Sequence, residues 1–169
     1  MLTKRSITLL RGVPSDAFFD LLKKRKAKNI FVLEGRPRVE RTNEFCKQLL
    51  KEKISPTLIA DNMAGYLFYK DLVKEIWLSY QSLDNGGASC DIGALILGVL
   101  GKTHGVPVYI FPAAEKINSV GNQVEISKFH GKQIAPKGIK GHVPLVEYLP
   151  KKYISDIYAL ECSCCACER

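Results

Sequence analysis

The residues Ile30-Phe31-Val32-Leu33-Glu34-Gly35-Arg36-Pro37 open a stretch, residues 29–112, that decides the fold. Short apolar runs alternate there with segments long enough to form helices, and the last run is Val106-Pro107-Val108-Tyr109-Ile110-Phe111. Such alternation is typical of βαβ units that build a parallel sheet. It predicts an α/β fold: a Rossmann-like, three-layer domain with a mainly parallel sheet and helices on both faces. The five predicted strands are residues 7–10, 30–33, 57–60, 76–80 and 106–111.

The segments between these runs predict the helices and loops. Apolar residues at helical spacing predict helices over 15–28, 41–53 and 92–103, and Asp61 is expected to cap a further helix. The glycine-rich segments predict loops over 82–90 and 118–141. A last strand over 143–149 and a short helical or extended end over 154–160 complete one domain, residues 1–160. Residues 161–169 are expected to form a separate cysteine-rich tail.

Composition limits the classes of function. The 169 residues suit one globular domain, no apolar run is long enough to span a membrane, and the charged N-terminus lacks the pattern of a signal peptide. We therefore expect a cytoplasmic protein with no membrane contact. The net charge is +8, with a basic run at residues 23–28. That run is either a solvated helix end or a contact for a polyanion. Because no aromatic residue lies within it, we do not expect nucleic acid as the partner.

The cysteines and glycines do not form a familiar cofactor motif. Neither a GxGxxG fingerprint nor a P-loop occurs, so no cofactor is expected. Four of the six cysteines crowd the last eight residues: Cys162, Cys164, Cys165 and Cys167. A single C-x-C-C-x-C run does not easily surround one zinc ion, so no metal site is expected. The alternative is that these four thiols bind a soft metal.

Five motifs follow one another in a specific order. They are Glu34-Gly35-Arg36-Pro37-Arg38, Pro56-Thr57-Leu58-Ile59-Ala60-Asp61-Asn62-Met63-Ala64, Asn85-Gly86 with Ile92-Gly93, Lys102-Thr103-His104-Gly105-Val106-Pro107-Val108-Tyr109, and Gly131-Lys132-Gln133-Ile134-Ala135-Pro136-Lys137-Gly138. This order resembles the C-terminal Rossmann-like domain of one superfamily. Its members are methylthioribose-1-phosphate isomerase, ribose-1,5-bisphosphate isomerase, and the alpha, beta and delta regulatory subunits of initiation factor 2B.

The resemblance also implies which catalytic groups are missing. The isomerases carry a cysteine after the first strand and an aspartate before the Asn-Gly loop. Arg11 lies at or near the cysteine position, and Tyr80 or Gln81 takes the place of the aspartate. An Asn-Lys pair that contacts the substrate phosphate is replaced by Cys90-Asp91, and a carboxylate repels a phosphate.

These replacements favour a non-catalytic binding or assembly module. The alternative is a sugar-phosphate (aldose-ketose) isomerase with a rebuilt site that uses Arg11, Arg36 and Asp61. The resemblance further implies a role near translation initiation and a homodimer or hetero-oligomer formed through this domain. It also implies a sugar-phosphate or nucleotide ligand.

The candidate ligand-binding residues follow the ends of the predicted strands. In open parallel sheets, ligands gather outside the carboxyl ends of the strands. We therefore expect convergence of Arg11, Glu34, Arg36, Asp61, Gln81, Asn85 and Gly86. The arginines either hold a phosphate or carboxylate, or Glu34 and Asp61 neutralise them in a closed cluster. The exchange to Cys90-Asp91 favours the closed cluster.

Overall fold

The centre of the molecule is a twisted sheet in which six strands run parallel. The computed structural model describes residues 3–25, 27–129 and 131–158. In chain order these strands are β1 (Ile7–Arg11), β2 (Asn29–Leu33), β3 (Thr57–Ile59), β4 (Val73–Leu83), β6 (Val108–Pro112) and β10 (Asp156–Ile157). Their order across the sheet is β10-β6-β4-β1-β2-β3, and each neighbouring pair is parallel. All five predicted strands are present, and the predicted α/β class is confirmed.

An antiparallel arm extends this sheet. Strand β4 continues past the parallel region and turns into β5 (Gly87–Asp91), which pairs with β4 and with β9 (Val146–Pro150). The loop predicted over 82–90 is therefore wrong for most of its length. Small residues are needed here because β5 and β9 lie close together. A Cβ atom at Gly87 would lie 2.2 Å from the Leu149 carbonyl oxygen. Cys90 consequently lies within a strand and not in a loop.

Helices cover both faces of the sheet. They are α1 (Ala17–Arg25) and α2 (Val39–Lys51) on one face, and α3 (Ala64–Tyr69) and α4 (Ala94–His104) on the other. A short helix, α5 (Gln123–Ser127), has no buried residues. Alternate strand residues point to opposite faces. Ile76 and Leu78 accordingly pack with α3 and α4 in one core, whereas Trp77 packs with α1 and α2 in the other.

Helix α4 lies unusually close to the sheet. A Cβ atom at Gly101 would come within 2.9 Å of the Val106 carbonyl oxygen and within 2.8 Å of Ile76 and Val108 side-chain atoms. The helix ends at Gly105, whose φ of 62° is the left-handed conformation that glycine adopts freely. This close turn moves the start of β6 to Val108, two residues later than predicted.

The segment between β6 and β9 has little regular structure, as expected from its composition. It contains α5 and a hairpin of two short strands, β7 (Lys128–Phe129) and β8 (Lys132–Gln133). A 3₁₀ turn at Lys151–Tyr153 and strand β10 form the end of the described chain. The cysteine-rich tail lies outside the described residues. Within them, no helix has the length and apolar character that crossing a bilayer requires.

Candidate functional site

Four arginines meet at the carboxyl ends of β1 and β2. With one acid, they line a cleft: Arg11, Arg36, Arg38, Arg41 and Asp91. The enclosed part of this cleft measures about 20 Å³, roughly the space that one ordered water needs. We call this arrangement the arginine cleft.

Arg11 forms the floor of the arginine cleft. It is the last residue of β1, only 6% exposed, and its Nε donates to the Ile92 carbonyl oxygen at 2.9 Å. Two glycines with positive φ make room for its side chain. A Cβ atom at Gly35 would lie 2.8 Å from Arg11 Nη1, and one at Gly93 would lie 3.3 Å from Arg11 Nε. The guanidinium is therefore held in one orientation by packing.

Asp61 supports the loop that carries Arg36. Its two carboxylate oxygens accept hydrogen bonds from the backbone N–H groups of Gly35 at 3.0 Å and Arg36 at 2.9 Å. The prediction that Asp61 caps a helix is wrong. A 3₁₀ turn, Asp61–Met63, precedes α3, and neither start has a side-chain cap. The Asp61 carboxylate instead accepts hydrogen bonds from the backbone of the loop that carries Arg36.

Arg36 and Glu34 lie on either side of Gly35. The Arg36 guanidinium stacks over the Phe129 ring at 4.6 Å from the ring centroid. The Glu34 backbone N–H donates to the Ile59 carbonyl oxygen at 2.8 Å. Within the described part of the chain, Arg11 and Arg36 form no ion pair with Glu34 or Asp61. The structure therefore does not contain the closed cluster that those two carboxylates were expected to form.

Asp91 is the acid within the arginine cleft. It is 4% exposed, and its oxygens accept from Arg41 Nη1 at 3.2 Å and from Gln81 Nε2 at 2.9 Å. Gln81 Oε1 in turn accepts from the Ile117 backbone N–H at 3.2 Å. A buried carboxylate needs such partners. The sequence alone predicted that Asp91 would repel an anionic ligand. In the structure, Arg41 offsets the negative charge of Asp91.

Two further carboxylates approach the cleft from the segment after β6. Glu115 lies 3.2 Å from Arg41 Nε, and the two oxygens of Glu125 each lie 3.3 Å from Arg38 nitrogens. Beyond them opens a larger groove of about 500 Å³. It shares Pro37, Arg38 and Arg41 with the arginine cleft and is otherwise bounded by Val39, Glu40, Asn122, Val124, Glu125, Lys128, Phe129 and Gly131. We call it the outer groove.

Arg38, Arg41 and Asp91 were not among the predicted ligand-binding residues. Arg38 precedes α2 and Arg41 lies in its first turn. Cations there oppose the helix dipole, which favours negative charge at a helix N-terminus. Arginines in a first turn therefore indicate partners outside the helix, and this signal was present in the sequence.

Asn85 and Gly86 lie apart from the arginine cleft, in the turn between β4 and β5. There the Asp84 carboxylate accepts from the Gly86 N–H at 2.7 Å and from the Tyr148 hydroxyl at 2.6 Å. The hydrogen bond from Tyr148 lowers the pKa of Asp84, and the same bond raises the pKa of Tyr148. These contacts fasten the turn to β9, and the structure does not bring Asn85 or Gly86 to the cleft lining.

The thiol of Cys90, next to Asp91 in the chain, is unreactive near neutral pH. Cys90 is fully buried in β5, and burial raises its pKa to about 12, with smaller contributions from Asp91 and Glu147. Burial also raises the pKa of Tyr80. Since the thiolate is the reactive form, neither side chain supplies a base or nucleophile near neutral pH.

The fold and the arginine cleft define an open parallel α/β domain with a cationic site at its strand ends. Residues 10–159 match the initiation factor 2 subunit family, and the chain belongs to that family. The methylthioribose-1-phosphate isomerase of Acetivibrio thermocellus is 31% identical over 140 residues, which are 76% of this chain and 41% of the isomerase. That of Syntrophus aciditrophicus is 32% identical over 144 residues, 78% of this chain and 39% of the isomerase.

Solved structures show the same fold. The translation initiation factor eIF-2B subunit delta from A. fulgidus superposes with a TM-score of 0.78 at 18% identity, covering 92% of this chain and 52% of that one. The 5-methylthioribose 1-phosphate isomerase from Pyrococcus horikoshii OT3 superposes with a TM-score of 0.78 at 20% identity. The match covers 92% of this chain and 50% of the isomerase chain. This chain therefore spans about half the length of these two structures and about two-fifths of the two curated isomerases.

Proposed function

We propose that this chain is a non-catalytic binding module of its family that holds a phosphorylated small molecule. The observation that carries the proposal is the meeting of four guanidinium groups in one cleft at the carboxyl ends of the strands. Arginine is suited to phosphate and carboxylate because its planar donors match two oxygens at once. Open parallel sheets bind ligands at this edge.

The hydrogen bonding of Arg41 supports an anionic ligand. Its Nη2 is buried and has no hydrogen-bond partner among the described residues. Buried donors are normally satisfied, and a ligand oxygen would satisfy this one. The enclosed space is small, so binding requires the partly exposed Arg38 to turn aside, while Arg41 stays on Asp91. We expect a ligand to compete with Glu125 for Arg38 and to accept a hydrogen bond from Nη2 of Arg41.

The chemistry of the lining supports a non-catalytic role. Among the described residues that line the cleft, Asp91 is the one acid, and Arg41 and Gln81 already hold its oxygens. Arg11 lies at or near the position that the resemblance assigns to the catalytic cysteine. A guanidinium stays protonated in proteins and cannot act as a base.

An isomerase remains the second candidate, because a buried carboxylate does lie in the cleft. In that case Asp91, and not Asp61, would be the base, since Asp91 lines the cleft and Asp61 does not. Turnover of ribose-1,5-bisphosphate or methylthioribose-1-phosphate that Asp91→Asn abolishes would support the isomerase and refute the non-catalytic module.

Binding is tested by thermal unfolding with sulfate, ribose 5-phosphate and the two isomerase substrates. A ligand at 100 times its Kd adds about 2.7 kcal/mol of stability, which is readily seen. Arg36→Gln and Arg38→Gln should each remove most of the shift. Arg5→Gln removes an arginine paired to Asp71 on another surface and should leave it unchanged. A shift that survives both cleft variants would refute the proposed site.

We also propose that the chain self-associates or joins related subunits, in the cytoplasm and near translation initiation. The family resemblance implies such assembly. Exposed apolar side chains on α3, on α4 and on the 3₁₀ turn before α3 support it: Tyr69 is 76% exposed, and the others are Met63, Tyr66, Ile96 and Val99. Large exposed apolar patches often mark interaction sites.

A further inference from the structure

The amino ends of the parallel strands form the end of the molecule opposite the arginine cleft. All strands of a parallel sheet begin at one edge, and the helices that connect them end there. Here Ile7, at the start of β1, pairs with Asn29 of β2 and Val73 of β4. Neighbouring strands lie about 4.8 Å apart, so the six strand starts extend over about 24 Å. We call this surface the amino edge.

Exposed lysines precede five of the six strands along the amino edge. They are Lys28 before β2, Lys53 before β3, Lys70 before β4, Lys102 before β6 and Lys152 before β10. Within residues 3–25, 27–129 and 131–158, none of the five forms an ion pair. Before β1 the charge is offset, because Arg5 pairs with Asp71 at 3.0 Å. The strand starts therefore carry a row of uncompensated positive charge.

Helix dipoles explain only part of this row. Lys102 lies in the last turn of α4, and Lys70 is the C-cap residue of α3. The dipole favours a cation at both positions. Lys28, Lys53 and Lys152 lie outside the α-helices, so the dipole does not call for a cation there. At the other end of the sheet, by contrast, two arginines of the arginine cleft are paired to carboxylates.

Two of these lysines share one aromatic ring. The Nζ atoms of Lys102 and Lys152 lie 5.7 Å and 5.0 Å from the centroid of the Tyr153 ring. All three residues line a depression of about 330 Å³, and no acidic residue occurs among its described lining residues. Two ammonium groups beside one ring repel each other unless an anion lies near both. An oxyanion in this depression would offset both charges.

A lysine row of this kind matches nucleic acid better than protein. Lysine is depleted from protein–protein interfaces, whereas interfaces with nucleic acid are strongly positive. Proteins bind single strands by stacking the bases on successive aromatic rings. The run 23–28 contains no aromatic residue, and two ammonium groups already lie against the Tyr153 ring. This lack of stacking surfaces argues against single strands and leaves the double helix, which proteins bind through its phosphates.

We infer that the amino edge binds a nucleic-acid double helix through its phosphate backbone, without reading the base sequence. A double helix carries one negative charge per about 1.7 Å of its axis, so about 24 Å of edge faces enough phosphates for all five lysines. The inference does not rest on the proposed phosphate module, because the arginine cleft lies at the opposite end of the same strands.

The test is fluorescence anisotropy of a labelled RNA duplex of about 20 base pairs, longer than the edge, titrated with the whole chain. Five phosphate contacts should make the affinity fall about 500-fold between about 50 and 200 mM salt. A variant with Lys28→Gln, Lys53→Gln and Lys70→Gln keeps two contacts, and its affinity should fall only about tenfold over that range. A DNA duplex of the same sequence should bind within about threefold of the RNA duplex, because both present phosphates.

The matched control removes the same net charge elsewhere. Lys116→Gln, Lys137→Gln and Lys140→Gln change exposed lysines in the segment between β6 and β9. This triple variant should keep the salt dependence of the unaltered chain. If the first triple variant fails to fold, the single variant Lys53→Gln still decides, because loss of one phosphate contact lowers the slope of log affinity against log salt by about 1.

Four results would overturn the inference. The first is equal weakening of duplex binding by the two triple variants, and the second is a single strand that binds as tightly as the duplex. The third is a polyglutamate peptide that competes as well as the duplex, which would identify an acidic protein as the partner. The fourth is a larger loss in Arg36→Gln than in the control, which would place the nucleic acid at the arginine cleft. Absence of duplex binding overturns this inference alone, whereas the phosphate module fails on its own test with ribose 5-phosphate.

Discussion

Replacing Asp61 with asparagine tests how the loop that carries Arg36 is held. The carboxylate uses one oxygen for the Gly35 N–H and the other for the Arg36 N–H, at 3.0 and 2.9 Å. Asparagine has a single acceptor oxygen, so it keeps one bond and turns its own N–H₂ group toward the second donor. One charge-assisted bond is lost and one donor is left unpaired. We expect the free energy of unfolding to fall by about 2 kcal/mol.

The assay is urea unfolding of Asp61→Asn beside Asp20→Asn, which removes the same charge from an exposed position on α1. The control should lose no more than about 0.5 kcal/mol. Phosphate affinity should fall in Asp61→Asn alone, because the Arg36 backbone loses its support. Equal stability of the two variants would refute this account of the loop.

Three further predictions concern other parts of the molecule. The raised folded pKa of Cys90 means that its stabilising contribution is present below the unfolded thiol pKa and declines as pH rises toward about 12. The decline should reach about 1.4 kcal/mol per pH unit and be absent from Cys90→Ala in alkaline urea titrations; parallel pH profiles would contradict it. Ile96→Asp should shift sedimentation velocity profiles toward the monomer, whereas Lys102→Asp on the same helix should not; an unchanged profile would exclude this face from assembly. Gly87→Ala should destabilise the chain by about 2 kcal/mol or more, because the added Cβ atom would lie 2.2 Å from the Leu149 carbonyl oxygen. Gly65→Ala serves as the control and should not destabilise the chain, because open space surrounds that position. Equal melting temperatures of the two variants would contradict the close strand contact.

The central strands of the parallel sheet were predictable because they are covered on both faces. Ile30 to Leu33 and Ile76 to Leu78 read as continuous apolar runs, which single out buried parallel strands. The β4–β5 hairpin was not predictable by the same means. Its residues Gly87, Ala88 and Ser89 resemble a loop in composition, and only the close passage of β9 explains why small residues are needed there.

The candidate site was partly predictable from the ends of the strands. Arg11 and Arg36 were found because each follows an apolar run, and both line the arginine cleft. Gln81 lies just outside it and holds Asp91. Arg41 was missed because charges in a helical segment usually face solvent, and Arg38 because it lies between the end of the strand and that helix. Asn85 and Gly86 were placed with the site because the hairpin that carries them away from it was not recognised.

The position of Arg11 between Gly35 and Gly93 couples three residues of the site. An arginine here is matched to two glycines that leave space for it and to a carbonyl that accepts its Nε–H. Replacing Arg11 with a smaller residue would leave the Ile92 carbonyl without that donor and a void where the guanidinium lay. A side chain added at Gly35 or Gly93 would in turn meet the guanidinium. A substitution at any one of the three positions therefore disturbs the packing of the other two.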